Sequence, residues 1–161
     1  MSARLRSLNR NWVVLCCACV LSIACSSEPN SPEQEIRDLL SQLETASEGK
    51  RIESLRDAVA DEYWDERGND KRAIERILRF YFLRNESIHL LTRIQSLVLS
   101  KTERADAVIM VAMAGTPITS VDALPSINVD LHRFDVALEK QGDAWQVTSA
   151  KWRRANVDDF L

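Results

Sequence analysis

The chain has 161 residues, 45% of them hydrophobic and 28% charged, and its 24 acidic residues outnumber its 21 basic ones. This balance argues against a nucleic-acid-binding protein, which needs a basic face. The four glycines form no glycine-rich phosphate loop, so the sequence also argues against nucleotide binding.

The first 24 residues have the parts of a secretory signal peptide. Arg4, Arg6 and Arg10 supply a positive start, and the uncharged, mainly apolar segment 13–24 follows. A bilayer-spanning helix needs about 20 apolar residues, so this segment is too short to remain as one. The sequence predicts a signal peptide over 1–24, and its removal leaves 137 residues, enough for one domain.

The end of this segment, 21–25 (LSIAC), resembles the lipobox of bacterial lipoproteins. Ala24 and Cys25 match that motif, whereas Ser22 stands where leucine is more common. The resemblance implies cleavage before Cys25, a diacylglycerol on its sulfur and an acyl chain such as palmitate on its amine. An ordinary signal peptide with an incidental cysteine and lipidation at Cys19 remain the alternatives.

The predicted partner of Cys25 is therefore a membrane, because two or more acyl chains give stable anchoring. Ser26 follows the cysteine, and in lipoproteins an aspartate there favours the inner membrane, so the resemblance implies an outer-membrane anchor facing the periplasm. Residues 25–31 form a short polar tether. Processing leaves a net charge of −6, which argues against docking on anionic lipid by charge.

No metal ion or other cofactor is predicted. All four cysteines lie at or before residue 25, so the mature domain has no thiol, disulfide or cysteine ligand. A zinc site needs at least three protein ligands, so its two histidines, His89 and His132, could form one only with the help of a carboxylate.

Three helices are predicted in the first part of the domain, which spans 32–161. Ser31 caps the first, with proline in its first turn, and Gly49 ends it. The second covers about 50–63. Asp70 caps the third, which runs to about Arg84.

Four strands follow, over 87–100, 104–114, 127–140 and 144–154. Their short connections predict an antiparallel sheet. Two pairs of residues, Leu131 with Phe134 and Trp145 with Trp152, share a face only if a strand contains an extra residue, so β-bulges are predicted in the last two strands. Helices followed by a curved sheet predict an α+β fold, with three helices on one face of a mainly four-stranded antiparallel sheet.

The second strand is apolar on both faces from Ala107 to Ala114. An antiparallel strand usually leaves one face in water. Since the helices cover one face only, the other is predicted to be covered by a second copy of the chain in a homodimer, or by another partner.

The order of elements resembles the nuclear transport factor 2-like (SnoaL-like, cystatin-like cone) fold over residues 32–154. The resemblance rests on the Tyr-Trp-Asp turn at 63–65 and on a last hairpin with Gly142-Asp143-Ala144-Trp145 at its turn. It implies a pocket between the helices and the concave sheet, and often a dimer through the outer sheet face. It implies no single function, because this fold carries isomerases, dehydratases, transport factors and non-catalytic modules.

Seven residues are predicted around this pocket: Tyr63, Trp64, Asp65, Tyr81, His89, Asp130 and His132. Asp65 is interpreted first as a turn residue and second as a base, and Trp64 first as core and second as a ligand contact. No complete catalytic set is predicted.

The predicted function is that of a lipid-anchored periplasmic protein whose domain binds a hydrophobic small molecule or an envelope protein without catalysis. Two alternatives remain. One is an isomerase- or dehydratase-type enzyme acting on a hydrophobic carbonyl compound, and the other is a structural subunit of an envelope complex.

Overall fold

The computed structural model describes residues 30–101 and 103–160. The predicted signal peptide, the lipidation site at Cys25 and most of the tether lie outside the described residues. Within the described part of the chain, no helix is both long and apolar enough to cross a bilayer.

The first and third helices begin where the sequence predicts. Helix α1 covers Pro32–Glu48, and the Ser31 hydroxyl accepts a hydrogen bond from the Gln34 backbone N at 3.3 Å. Helix α3 covers Lys71–Arg84, and the Asp70 carboxylate accepts one from the Ala73 backbone N at 2.7 Å. These caps satisfy N–H groups that have no partner inside the helix.

Helix α2 covers only Ile52–Asp57 and is therefore shorter than the predicted range of about 50–63. The chain then pairs in parallel with the last strand, where the Val147 N donates to the Ala58 O at 2.8 Å and the Ala60 N donates to the Val147 O at 3.0 Å. These bonds replace a helical continuation and cover a sheet edge that would otherwise carry unpaired backbone groups.

The sheet has the predicted four antiparallel strands, in the order β1-β2-β3-β4. Their bounds are His89–Lys101, Arg104–Ala114, Val129–Gln141 and Ala144–Arg154. The α+β fold class is confirmed.

One of the two predicted β-bulges is present. Ala137 pairs with Ser149 and Leu138 with Val147, so Thr148 is an extra residue in β4, and it brings Trp145 and Trp152 to the same face. The prediction of a bulge in β3 is wrong. That strand pairs with β2 without a register shift, so Leu131 and Phe134 point to opposite faces of the sheet.

Other parts of the chain pack against both faces of the sheet. On the inner face, Ile36 of α1 packs against residues that include Ile109, Leu138 and Trp145. On the outer face, Met110 and Ala112 of β2 pack with Leu131, and the 115–128 connection and the C-terminal turn cover them through Leu124 and Phe160.

This outer core corrects the reasoning from which the homodimer was predicted. The second face of β2 has a cover within the same chain, because Met110 and Ala112 are fully buried in the single chain. The two-sided apolar pattern of β2 therefore needs no partner at Met110 and Ala112, whereas Val108 on the same face is only partly buried.

Candidate functional site

An apolar cavity lies between the helices and the inner face of the sheet, and it has two adjoining lobes. The first lobe, near α1, has a volume of about 270 Å³, and the second, near β4, of about 400 Å³. The two lobes share six wall residues: Leu78, Tyr81, Met113, Phe134, Val136 and Val147. No residue of α3 is fully buried, so this helix forms an open wall and not a packed layer.

Three polar side chains of the first lobe, Glu44, Ser47 and Thr92, form hydrogen bonds within its wall. Glu44 of α1 provides its only carboxylate, and this carboxylate accepts a hydrogen bond from the Thr92 hydroxyl of β1. The Ser47 hydroxyl donates to the Leu43 carbonyl at 2.7 Å. The remaining wall of this lobe is almost wholly aliphatic and aromatic.

The second lobe brings together two tyrosines and a histidine: Tyr63, Tyr81 and His132. Tyr63 is only 3% exposed, and its burial, with the neighbouring Asp65 carboxylate, raises its pKa to about 12. Burial also raises the pKa of Tyr81, and the charge of Asp130 adds to this effect. Both tyrosines are therefore neutral hydroxyl groups at neutral pH.

His132 is a neutral imidazole in the wall of the second lobe. Its burial and the positive charge of Arg154 lower its pKa, and they outweigh the opposing effect of Asp130. Its Nδ1 atom is buried and has no hydrogen-bond partner among the described residues. A group of this kind can accept or donate one hydrogen bond to an occupant of the lobe.

Asp65 lies in the turn before α3 and does not line the cavity. Burial alone would raise its pKa, but hydrogen bonds from Asn69 and Arg67 outweigh that effect and lower it. The carboxylate is therefore ionised and occupied by the turn, as the turn interpretation expects.

Three other residues predicted around the pocket lie elsewhere. Trp64 is 62% exposed, so its interpretation as a core residue is wrong, and its backbone N donates a hydrogen bond to the Thr148 carbonyl on β4. His89 begins β1 on the outer face, opposite Ala114. Asp130 borders a separate small polar cavity beside Tyr81. Of the seven predicted residues, Tyr63, Tyr81 and His132 line the apolar cavity.

Sequence reasoning assigned no site role to the apolar residues that form most of the wall. Phe134, Val136, Met113 and Val147 alternate along their strands with residues of the outer face. That alternation identifies a shared face, but it does not show that α3 leaves space above it. No three His, Cys, Asp or Glu side chains within 30–101 and 103–160 converge as metal ligands would.

Known proteins resemble this chain in fold, but none of those compared is a relative by sequence. No protein-family model matches the chain, and no curated protein does. An NTF-2-like protein of unknown function from Shewanella oneidensis MR-1 has a TM-score of 0.58 at 14% identity, over 75% of this chain and 98% of that one.

Two further structures have names that refer to enzymes. A ketosteroid isomerase-like protein from Erwinia carotovora atroseptica has a TM-score of 0.58 at 11% identity, over 80% of this chain and 99% of that one. The hexachlorocyclohexane dehydrochlorinase LinA-type3 from Novosphingobium barchaimii LL02 has a TM-score of 0.58 at 11% identity, over 77% of this chain and 86% of that one.

The described chain is thus an α+β domain with the nuclear transport factor 2-like fold, as the resemblance in sequence implied. Its particular feature is a two-lobed apolar cavity whose one histidine and two tyrosines are all held in their neutral forms.

Proposed function

We propose that this domain binds an apolar small molecule in the two-lobed cavity without catalysis. The observation that carries the proposal is the wall itself, because apolar side chains from α1, α3 and all four strands surround it. Small-molecule sites typically enclose about 300–1,000 Å³ and combine apolar walls with a few polar groups. The second lobe, at about 400 Å³, is of this size, and the first, at about 270 Å³, lies just below it.

The carboxylates near the cavity favour binding over catalysis. Glu44 is bonded to Thr92, and Asp65 is occupied by three hydrogen bonds within its turn. General acid–base catalysis needs a group within hydrogen-bond reach of the proton it moves, oriented for that transfer. Neither of these two carboxylates is free to take that role. A third, Asp130, borders the separate polar cavity and lies 3.8 Å from the Arg154 guanidinium.

A second function, an enzyme acting on a hydrophobic carbonyl compound, is favoured by one observation. His132, Tyr63 and Tyr81 line the same lobe, where a neutral imidazole can accept a proton and a tyrosine hydroxyl can donate a hydrogen bond to a carbonyl oxygen. The isomerase-like and dehydrochlorinase neighbours share the fold and lend this alternative a precedent.

We further propose that Cys25 is lipidated and holds the domain on the periplasmic side of the outer membrane. An envelope protein is the other partner that we propose there. A Cys25→Ser variant is then expected to lose its acyl mass and leave the membrane fraction.

We retain a homodimer through the sheet face as a proposal. Light scattering of the purified protein tests it, and a monomer at micromolar concentration would reject it.

Native mass spectrometry of the purified full chain tests the binding proposal. We expect an apolar molecule to remain bound to the parent protein and to be lost from Ala150→Trp, because Ala150 lines the second lobe and an indole would fill it. Val98→Trp is the matched control, since Val98 is 58% exposed and lies outside both lobes.

Equal retention by Ala150→Trp and the parent, with circular dichroism showing both folded, would reject the second lobe as the binding site. The enzyme alternative predicts a different result. A bound carbonyl compound would exchange its α-protons with D₂O on the parent protein, and His132→Gln would slow this exchange.

A further inference from the structure

The outward side of α3 combines exposed apolar side chains with arginines. Its three exposed apolar residues are Ile77, Phe80 and Leu83, at 46%, 60% and 86% exposure. Its four exposed charged residues are all arginines: Arg72, Arg76, Arg79 and Arg84. We call these seven residues the α3 patch. The Arg84 guanidinium lies 5.3 Å from the centre of the Phe80 ring, so charge and apolar surface are interleaved.

The positive charge of the α3 patch is mostly uncompensated. Arg79 pairs with Glu75, the one acidic residue of α3, at 2.6 Å. In the described part of the chain, no carboxylate lies within ion-pair distance of Arg72, Arg76 or Arg84. The rest of the mature chain is acidic, so this helix is a local exception to the overall charge.

We propose that the α3 patch docks on an anionic phospholipid bilayer. An amphipathic helix with aromatic and leucine side chains beside basic residues binds in the membrane interface, with its apolar groups among the acyl chains and its cations at the phosphates. Phe80 and Leu83 are the apolar groups that would enter, and the guanidinium groups of the patch suit phosphate oxygens.

The net charge of −6 argues against docking on anionic lipid, but the local positive charge of α3 decides how this surface interacts with a bilayer. At physiological salt, charges are screened beyond about 8 Å, so a bilayer close to α3 is affected mainly by the arginines of the patch. Each basic residue near an anionic surface raises partitioning about fivefold. A second copy of this chain is a poorer occupant, because it would bring four arginines against four.

The α3 patch also adjoins the cavity, because Ile77 belongs to the patch and to the wall of the second lobe. Docking would place this edge of the cavity next to lipid. The docking proposal does not require the cavity to be occupied, and its test does not depend on a ligand.

Hydrogen exchange of the full chain bound to vesicles tests the proposal. Zwitterionic phosphatidylcholine vesicles are compared with vesicles that also contain phosphatidylglycerol. We expect amides of 71–84 to exchange about tenfold more slowly on the anionic vesicles only, and high salt to reverse this protection. Since a lipid anchor would hold every variant on the vesicles equally, the exchange of α3 reports on docking itself.

Two variants and one control separate the outcomes. Leu83→Glu removes the most exposed apolar side chain, Arg76→Glu with Arg84→Glu reverses two uncompensated charges, and Val98→Glu alters an exposed apolar residue on another surface. We expect the first two to lose the protection and the control to keep it.

The proposal is overturned if protection is absent, or if it is equal on both kinds of vesicle. It is also overturned if protection survives in the charge-reversed variant. Protection without vesicles that grows with protein concentration would assign the patch to a second copy of the chain.

Discussion

Asn69 donates two hydrogen bonds to the Asp65 carboxylate, one from its backbone N to Oδ1 and one from its side-chain Nδ2 to Oδ2, each at 2.8 Å. The Arg67 backbone N adds a third bond at 2.8 Å. Asp65 is only 3% exposed, so these bonds replace its contacts with water. The turn that they close leads directly into the Asp70 cap of α3 and thereby positions one wall of the cavity.

Removal of this carboxylate is expected to destabilise the domain. Asp65→Ala leaves two backbone donors and one amide without their acceptor, and we expect a loss of about 3 kcal/mol in the free energy of unfolding, measured with urea. Asp61→Ala is the control, because Asp61 is 86% exposed and, among the residues that the structure describes, pairs only with Lys71; it should change stability little.

The lowered pKa of Asp65 sets the sign of the dependence on pH. Since the folded pKa lies below the unfolded value near 3.8, the stabilisation is present above that pH and is lost as the pH falls through the folded pKa. Equal acid sensitivity in Asp65→Ala and the parent would contradict this assignment.

Tyr63 is expected to ionise far above the usual range. The chain has two tyrosines, so Tyr81→Phe leaves Tyr63 alone, and ultraviolet absorbance then follows its ionisation directly. We expect a midpoint at about 12. Stability that depends on the neutral hydroxyl is present below the unfolded pKa near 10 and is lost as the pH rises through the folded value.

Asp65→Asn provides the matched variant for that titration, because it removes the negative charge beside the Tyr63 hydroxyl. The pKa of Tyr63 should then fall toward its usual value without reaching it, since burial is the larger cause. An unchanged midpoint would mean that the two groups do not interact.

His132 is expected to make the domain less stable in mild acid. Its pKa is lowered in the folded state, so its stabilising effect is present above the unfolded pKa near 6.5 and is lost as the pH falls through the folded value. In a His89→Gln variant, the remaining imidazole resonance should titrate below pH 6.5 by NMR.

His132→Phe should abolish that loss of stability, because phenylalanine does not titrate. At neutral pH we expect it to change the free energy of unfolding by less than about 1.5 kcal/mol. The reason is that a ring of similar volume replaces a buried nitrogen with no hydrogen-bond partner in the described part of the chain. A His132→Phe variant with the same acid sensitivity as the parent would place the titrating group elsewhere.

Phe160 is expected to be essential to the outer core. It is 1% exposed and packs over the outer face of β2 and β3, so Phe160→Ala should cost about 3–5 kcal/mol in thermal or urea unfolding. Phe80→Ala removes the same ring from a position that is 60% exposed and should cost far less. Similar losses in the two variants would show that the C-terminal turn does not cover the sheet.

Much of the architecture could be predicted from local signals in the sequence. The caps at Ser31 and Asp70 begin α1 and α3, and the change to two-residue periodicity marks the four strands. Such features depend on bonds and spacings within a few residues, so the sequence determines them without knowledge of the fold. The α+β class follows from their order.

The tertiary structure alone decided what covers each surface. The pairing of Ala58 and Ala60 with Val147 ends α2 early, and burial of Met110 beneath Phe160 accounts for the second apolar face of β2. The cavity arises because α3 stands away from the inner face of the sheet. Tyr63, Tyr81 and His132 come from distant parts of the chain and line the same lobe of this cavity. Periodicity shows which side chains share a face, but the space above that face depends on long-range packing.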